Sequence, residues 1–541
     1  MPPPSQSVLP PQINPLLIDS LNPATNEINA TFTATQISQL QKIFESARAA
    51  QKTWSVQPVA SRAAALRNLR DALFKNRDKI ADVISRETGK PRVEAIFAEV
   101  LLALDTADFL FQRAAKWLRP EKVPHHNLAM KAKSGWLEFN PLGVVVIISP
   151  WNYPFSIPMA QIIPALAAGN AVILKPSELT PGSGALIGEL FGELSGQLNA
   201  AEKFPKDLVQ VVQGRGDLGA ALIAAGPNKV FFTGSVATGQ RIAETCARKL
   251  IPSSLELGGK DPMIVLADAD LNVASSAAVW GSFMNCGQTC ISVERIYVEA
   301  PVVDQFTSLC VAKTGQLRLG PPFDPDAEVG PMIRPGQLEK VEQQIAEAKT
   351  RGARVLTGGN RRPDLGPNFL EPAVVTQVNH SMDLMREETF GPVLAIQMVK
   401  NADEAVALAN DSRFALSASV WTASKRRGRE LASRLKAGSV MINDVASYYG
   451  IAEAPHGGSG DSGWGRSHSR LGLLEMVQVK YVDEDRLPRV PKSWWYGYTA
   501  ELATSAAALV ESLFAPSWSR RLTSAMKKDG ARGIVFRRNR I

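Results

Sequence analysis

A chain of 541 residues exceeds the usual size of a single hydrophobic core, so two or more domains are expected. Its apolar fraction of 45% and charged fraction of 21% belong to a folded protein and exclude long disorder in the body of the chain. The net charge of +8 is local: residues 484–541 hold eleven Lys/Arg against five Asp/Glu, which leaves the body close to neutral.

Four cysteines make no disulfide framework and fit a reducing compartment. The start, MPPPSQSVLPPQINP, has neither a basic n-region nor a continuous apolar stretch, so no signal peptide is read there. After it, residues 35–54, 60–87 and 93–118 read as long amphipathic helices. The third carries Ile96, Val100, Leu104 and Ala107 at helical spacing.

From Gly143 the pattern changes. GVVVIIS, NAVILK, DLVQVV and KVFFTG are apolar runs of strand length, separated by helical segments such as LGAALIAAG and TGQRIAETCARKL. Buried strands alternating with helices predict a parallel α/β sheet of Rossmann type. Residues 159–174 are apolar enough to suggest a membrane span. Gln161, Pro164, Gly169 and Asn170 interrupt them, and a core helix followed by a core strand fits better. A second α/β region follows Gly258, with strands in ARVLTGG and GPVLAIQMV and helices in ADEAVALAN and KRRGRELASRL. The linker-like HGGSGDSGWG closes it.

Chemistry concentrates in a few boxes. NCGQTC places Cys286 and Cys290 four positions apart. A structural metal needs about four Cys or His ligands, so no metal site is expected here. Two packed, inert thiols are the ordinary alternative. The polar neighbours of Cys290 suit instead a thiol on a turn reached by substrate. Such a nucleophile needs an oxyanion donor and an acid/base group. SPWNYPF places Asn152 after a buried strand, where it is either an oxyanion donor or a turn residue. LELGGK places Glu256 at a strand end, as a water-activating base or as a salt-bridged surface carboxylate.

Two boxes suit a dinucleotide. FFTGSVATG puts Gly234 and Gly239 around a strand–helix junction where backbone N–H groups can approach a pyrophosphate, although it is not G-x-G-x-x-G. ILKPSE ends a strand with Lys175 and Glu178. A carboxylate there can accept from ribose hydroxyls, which favours NAD over a 2′-phosphate.

In this order, SPWNYPF, LKPSE, FTGSVATG, LELGGK, NCGQTC and EETFGP resemble the aldehyde dehydrogenase superfamily over residues 18–482. The resemblance implies that family's fold, a Rossmann-type cofactor domain (18–120 and 142–257) and an α/β catalytic domain (258–467). It also implies oligomerisation arms (121–141 and 468–482) that build a homodimer or homotetramer. A Pro-rich segment (1–17) precedes them and a basic tail (483–541) follows. Cys290 is then the nucleophile, Asn152 and the Cys290 backbone N–H hold the oxyanion, and Glu256 activates water to release a carboxylic acid. Members that pass the thioester to coenzyme A generally lack this glutamate, so a hydrolytic enzyme is implied. The cofactor is NAD, with NADP possible. Its contacts are Ser149, Trp151, Lys175, Glu178, Gly234, Ser235, Gly239, Leu257, Glu388 and Phe390.

His456 in APHGGSGDSGWGR replaces the aromatic residue usual in that box. With CISVERIYV it gives the chain the look of a fungal and plant membrane-associated branch. A hydrophobic or fatty aldehyde is then the favoured substrate. The alternatives are a semialdehyde or a catalytically silent scaffold that keeps the fold. Retention of Cys290, Glu256 and Asn152 argues against a scaffold.

In the tail, Tyr498, Leu502, Ala506, Leu509, Val510 and Leu513 fall at helical spacing, Trp494, Trp495, Tyr496 and Trp518 lie at the ends, and FRRNRI follows. This suits an anionic membrane surface or a protein groove equally, because amphipathicity does not distinguish them. Nucleic acid is a weaker reading, since no recognition motif accompanies the charge. The expected location is intracellular: the cytoplasm, or the cytoplasmic face of an internal membrane such as the endoplasmic reticulum.

Overall fold

The computed structural model describes residues 16–127, 130–196, 204–490, 492 and 494–526. Most of the Pro-rich start and the basic FRRNRI terminus lie outside them. Two compact units emerge, Met1–Arg119 with Phe139–Gln478, and Pro120–Glu138 with Val479–Ile541.

Among the described residues the larger unit holds two large sheets and two two-stranded ones. The first runs in the order Gly463–Trp464, Ser253–Glu256, Lys229–Thr233, Val144–Ile148, Ala171–Lys175, Val209–Val211. All neighbours are parallel except Gly463–Trp464, which lies antiparallel on Ser253–Glu256. Every residue of Val144–Ile148 and Ala171–Lys175 is buried, so their unbroken β-branched and aliphatic runs are covered on both faces. Each such side chain contributes about 1.5–3 kcal/mol on burial.

This topology positions the site. From the central strand Val144–Ile148 the chain first moves to Ala171–Lys175 on one side, then returns to Lys229–Thr233 on the other. The strand order therefore reverses beside Val144–Ile148. The crevice at its carboxyl end is the ligand position that such sheets create. Register brings Ile148 level with Lys175 and Phe232, and Thr233 level with Glu256.

The second sheet has seven strands, in the order Arg354–Thr357, Ala373–Thr376, Val393–Val399, Val293–Glu299, Asp261–Val265, Ser417–Trp421, Ser439–Ile442. Only the Arg354–Thr357 edge is antiparallel.

Helices depart from the sequence expectation at their breaks. The run expected over 60–87 splits into Val59–Lys75 and Arg77–Thr88 at Asn76. This residue leaves helical geometry (φ −96, ψ 6) and donates its side-chain amide back to the Ala72 carbonyl. The helix expected over 93–118 carries a π-turn, Ile96–Val100, before Leu101–Trp117. Ser156–Ala168 is buried along its whole length, and Gly169 ends it in the left-handed region (φ 97). Among the described residues, no helix is long and apolar enough to cross a membrane.

Most of a sheet in the order Val477–Asp485, Lys133–Pro141, Glu121–Val123 lies in the smaller unit, where His125 Nε2 and the Tyr481 hydroxyl lie 3.0 Å apart. The tail of that unit forms two helices, Ala500–Phe514 and Trp518–Met526. Buried Ser505 and Ser524 mark the seam, where Ser524 Oγ donates to the Ala508 carbonyl at 2.9 Å. Large side chains face outward: Val510 is 60%, Phe514 68% and Trp518 77% exposed.

Candidate active site

Cys290 stands on the loop between the 3-10 turn Met284–Gly287 and the strand Val293–Glu299. Asn285, Cys286 and Gly287 occupy the left-handed region in succession (φ 51, 57 and 69). Such strain in non-glycine residues is held only by its surroundings. Here Glu94 supplies the hold: both its oxygens accept the Asn285 backbone N–H at 3.1 Å. A Cβ on Gly287 would lie 2.2 Å from the Gly391 carbonyl oxygen, which ties this turn to the EETFGP loop. Cys286 points elsewhere, with its Sγ 3.6 Å from Met332 Sδ inside the second core. The two cysteines of NCGQTC thus face different surroundings.

Asn152 is buried. Its Nδ2 donates to the Gln288 carbonyl at 3.0 Å, and its own carbonyl accepts from Lys90 Nζ at 2.8 Å and Asn285 Nδ2 at 3.0 Å. Lys90 is paired with Glu99 at 2.7 Å, and both side chains are fully buried. The other Glu99 oxygen accepts the Phe155 and Ser156 N–H groups at 2.9 Å. Lys90, Glu99 and Glu94 were not singled out from sequence, and Gln288 was read only as a polar neighbour of Cys290. Each is ordinary in its own segment, and only the fold brings them to Asn152.

One cavity of about 680 Å³ is lined by Ser149, Trp151, Asn152, Lys175, Glu178, Gly234, Ser235, Leu257, Cys290, Glu388 and Phe390. Of the residues singled out from sequence, Gly239 and Glu256 are absent from the lining. Gly239 sits behind it on the helix Val236–Arg248, where a Cβ would meet Leu257 Cδ2 at 2.5 Å. Arg334, Gln337 and Lys340 line the cavity without having been expected. Gln337 Nε2 donates to the Phe390 carbonyl at 3.0 Å, and Lys340 Nζ to the Glu388 carbonyl at 2.7 Å. Buried Glu294 accepts the Thr389 and Phe390 N–H groups at 2.8 and 3.1 Å and pairs with Lys260. Phe390 has φ 54 and meets Trp151 edge-on, with centroids 5.5 Å apart.

The residues present fit a dinucleotide. The cavity volume is that of a cofactor site. Ser149 Oγ is buried there without a hydrogen-bond partner. Ser235 caps the helix Val236–Arg248 without a side-chain cap bond, which leaves its first-turn N–H groups for an anion. Lys175 Nζ lies 3.7 Å from Glu178, whose side chain is partly exposed.

Electrostatics around Cys290 are unfavourable to a free thiolate. Burial pushes its thiol up, and Asp261, Glu256 and Glu388 push it further. Glu256 lies at the end of Ser253–Glu256, where Gln161 Nε2 and Thr233 Oγ1 stand 3.5 Å from its oxygens. Burial pushes its carboxyl up to about 7, against the hydrogen bonds of Ser467, Thr233 and Gln161. Burial also lifts Glu388 to about 7, and Glu388 accepts the Gly259 N–H at 3.2 Å.

On its other side Cys290 packs against Ile291, Leu416, Ala446 and Tyr448, with Met284, Met441, Tyr449 and Ala454 around them. His456, read from sequence as the departure near the substrate mouth, is buried in this wall. Its Nδ1 lies 2.9 Å from the Tyr448 hydroxyl, and the Tyr449 ring meets it edge-on at 4.8 Å.

A parallel sheet with a crevice at its switch point, and a cysteine set between that crevice and an apolar wall, define a dinucleotide-dependent enzyme. The Aldehyde dehydrogenase family profile matches residues 13–482. A Mycolicibacterium smegmatis protein provisionally named as an NADP(+) succinate-semialdehyde dehydrogenase is 42% identical, over 82% of this chain and 84% of its own. The 4,4'-diapolycopene aldehyde oxidase of a Methylomonas species is 39% identical, over 89% and 88%. The crystal structure of betaine aldehyde dehydrogenase from Staphylococcus aureus in complex with NAD+ superposes with a TM-score of 0.82 at 31% identity, covering 89% and 93%. The chain belongs to the aldehyde dehydrogenase family. It has that family's fold and is an NAD(P)-dependent enzyme that oxidises an aldehyde. The relatives quoted are bacterial, and they support the family rather than the narrower resemblance to a fungal and plant membrane-associated branch.

Proposed function

We propose that the chain converts an uncharged, hydrophobic aldehyde to its carboxylic acid, with Cys290 as nucleophile, Asn152 as oxyanion donor and Glu256 as base. The observation that carries this reading is the position of Cys290, between the cofactor-sized cavity and a wall of Ile291, Leu416, Ala446 and Tyr448.

In this reading Cys290 Sγ bonds to the aldehyde carbon as its proton passes to solvent water, and Glu256, at about 7, is kept for the hydrolytic step. The carbonyl oxygen becomes an oxyanion held by the second Asn152 N–H, the first being spent on Gln288, and by the Cys290 backbone N–H. A bound nicotinamide supplies hydride acceptance. Ser149, Lys175, Glu178, Ser235, Glu388 and Phe390 would hold that cofactor, with Trp151 set against Phe390. What remains on Cys290 is a thioester. Glu256 takes a proton from water, the water oxygen adds to the thioester carbon, and the C–S bond breaks to free the acid.

Glu178 at the cavity favours NAD over NADP. Segments 18–120 and 142–257 serve the cofactor and 258–467 the substrate, while 121–141 and 468–482 join copies in a homodimer or homotetramer. The outward Val510, Phe514 and Trp518 form a contact surface for a membrane, as in the membrane-associated branch, or for a protein groove. If the surface takes a membrane, the protein resides on the cytoplasmic face of an internal membrane. Deleting 484–541 should then release it from membrane pellets, and unchanged pelleting refutes that choice.

A second reading follows the name of the Mycolicibacterium relative, an anionic semialdehyde. Against it stand the apolar Ile291, Leu416, Ala446 and Tyr448 that Cys290 packs against. An aldehyde series of increasing chain length, with succinic semialdehyde included and NAD and NADP compared, decides. Rising kcat/KM with chain length supports the hydrophobic reading; a maximum at the anionic substrate overturns it.

A further inference from the structure

The strand Val293–Glu299 follows Cys290 directly, and its second residue, Glu294, has no part in the chemistry above. Its carboxylate is buried and turned onto the EETFGP loop. One oxygen accepts the Thr389 N–H at 2.8 Å and the other accepts the Phe390 N–H at 3.1 Å. Lys260 completes the grip. Its ammonium pairs with Glu294 and donates to the Thr389 hydroxyl at 3.0 Å, and both Lys260 and Thr389 are buried. Lys260 is itself pinned, since Arg295 Nε donates to its carbonyl at 2.8 Å.

The loop depends on such side chains. Glu388, Thr389 and Phe390 lie between the helical turn Asp383–Arg386 and the strand Val393–Val399. Phe390 takes a left-handed φ of 54, a costly conformation for a non-glycine residue. Buried backbone groups must find partners, and here side chains supply them. Glu294 takes the two N–H groups, Gln337 donates to the Thr389 and Phe390 carbonyls at 3.2 and 3.0 Å, and Lys340 donates to the Glu388 carbonyl. Gln337 and Lys340 come from the helix Pro335–Thr350. The Glu294 side leads back to the nucleophile. Gly259, next to Lys260, lies so close to Cys290 that a Cβ would stand 2.3 Å from the Cys290 carbonyl oxygen. The Gly259 N–H meanwhile donates to Glu388 Oε1 at 3.2 Å.

We propose that Glu294 is a positioning residue for hydride transfer: with Lys260 it clamps the Thr389–Phe390 backbone, and so fixes the cavity residues Glu388 and Phe390 relative to Cys290. The inference rests on the reading of Glu388 and Phe390 as cofactor contacts. Glu294 stands behind the cavity lining and acts through the loop. The position requires a carboxylate. Its two oxygens only accept, which suits two adjacent N–H donors and an ammonium. A glutamine amide offers one acceptor oxygen and turns its own N–H donors toward the same groups. Glu294→Gln therefore keeps the size of the side chain and breaks the clamp.

The test reads cofactor and nucleophile separately on the full chain. NADH affinity is measured by titrating its fluorescence. Hexanal carrying hydrogen or deuterium on the carbonyl carbon gives the isotope effect on NADH formation. A 4-nitrophenyl acetate burst without cofactor counts competent Cys290. Glu294→Gln should weaken NADH binding about tenfold and slow hydride transfer by about ten- to a hundredfold, the effect of losing hydrogen bonds to a charged group. The isotope effect should exceed that of the wild type, and the acylation burst should keep its amplitude. Thr389→Val removes a Lys260 contact without stranding a charge, so it carries the test where Glu294→Gln does not fold. It should weaken NADH binding by about three- to tenfold, again with the burst intact. Wild-type NADH affinity and isotope effect overturn the clamp. So does a loss that the burst shares in equal measure, since that marks a general loss of folded enzyme. Phe390→Ala separates the two claims. Weakened NADH binding there, with none in Glu294→Gln or Thr389→Val, overturns the clamp alone. Wild-type NADH affinity in both Phe390→Ala and Glu388→Gln overturns the reading of this loop as a cofactor contact.

Discussion

Asn152 donates its side-chain amide to the Gln288 carbonyl at 3.0 Å, two residues ahead of Cys290. The bond does two things. It uses one of the two amide protons, and it fixes the plane in which the other points. Because Lys90 and Asn285 grip the Asn152 backbone carbonyl, the residue is held at both ends. Such preorganisation is what lets a donor favour a developing oxyanion over a ground-state carbonyl.

The Asn152→Ala variant should therefore lose about a hundred- to a thousandfold in kcat. Cofactor binding, followed by quenching of protein fluorescence, should change little. A loss confined to KM would place Asn152 in substrate binding instead.

Lys90 and Glu99 form a fully buried pair behind this loop. Removing one partner strands the other charge, so Lys90→Met should destabilise the fold by about 3–5 kcal/mol in denaturant unfolding. The double variant Lys90→Met, Glu99→Gln should recover part of that loss. If the single variants cost less than about 1 kcal/mol, the pair would have no greater effect than a surface ion pair.

What the sequence shows of this site depends on how local the signal is. Val144–Ile148 and Ala171–Lys175 are continuous apolar runs bounded by Gly, Asn and Pro, so the parallel sheet and its crevice are readable without contacts. The boxes that end those strands carry their chemistry within six or seven residues. Lys90, Glu99, Glu94 and Gln288 are different, because their meaning lies in partners 9 to 191 residues away. The break at Asn76 is also silent in sequence, since the helical pattern runs through it and only the Ala72 contact reveals the turn. His456 is visible as a substitution, but its bond to Tyr448 and its backbone bridge to Ser467 are not.

The two cysteines of NCGQTC should separate cleanly. Cys290→Ser should abolish NADH formation while NAD binding persists, because a serine hydroxyl is a far weaker nucleophile than a thiolate. Cys286→Ala should keep dehydrogenase activity within about threefold, since that thiol faces Met332 and burial pushes it up and out of reaction. Equal losses from both would refute the assignment.

Gly287 tests the turn itself. At φ 69, with the Gly391 carbonyl oxygen 2.2 Å from where a Cβ would stand, Gly287→Ala combines backbone strain with a contact that cannot relax without moving the EETFGP loop. It should cost more than about 2 kcal/mol and reduce cofactor affinity and turnover together. Unchanged cofactor affinity would mean that the Cys290 turn and the Glu388–Phe390 loop are not coupled.

With Glu256 as the proposed base, the pH dependence of turnover follows from its carboxyl. Burial holds its carboxyl up to about 7 in the folded protein, against an ordinary value of 4.5. Below that point the group is protonated and cannot accept a proton from water; above it the group is ionised and can. Thioester hydrolysis should therefore rise about tenfold per pH unit on the acid side, level off above about 7, and show this limb in single-turnover release of acid. Hydride transfer in the same turnover precedes water activation, so an NADH burst should survive at pH 6 while steady-state release slows. A limb near 4.5 instead would mean that the Glu256 carboxylate is solvated as it works, and that the buried arrangement of Gln161, Thr233 and Ser467 around it opens before water attacks.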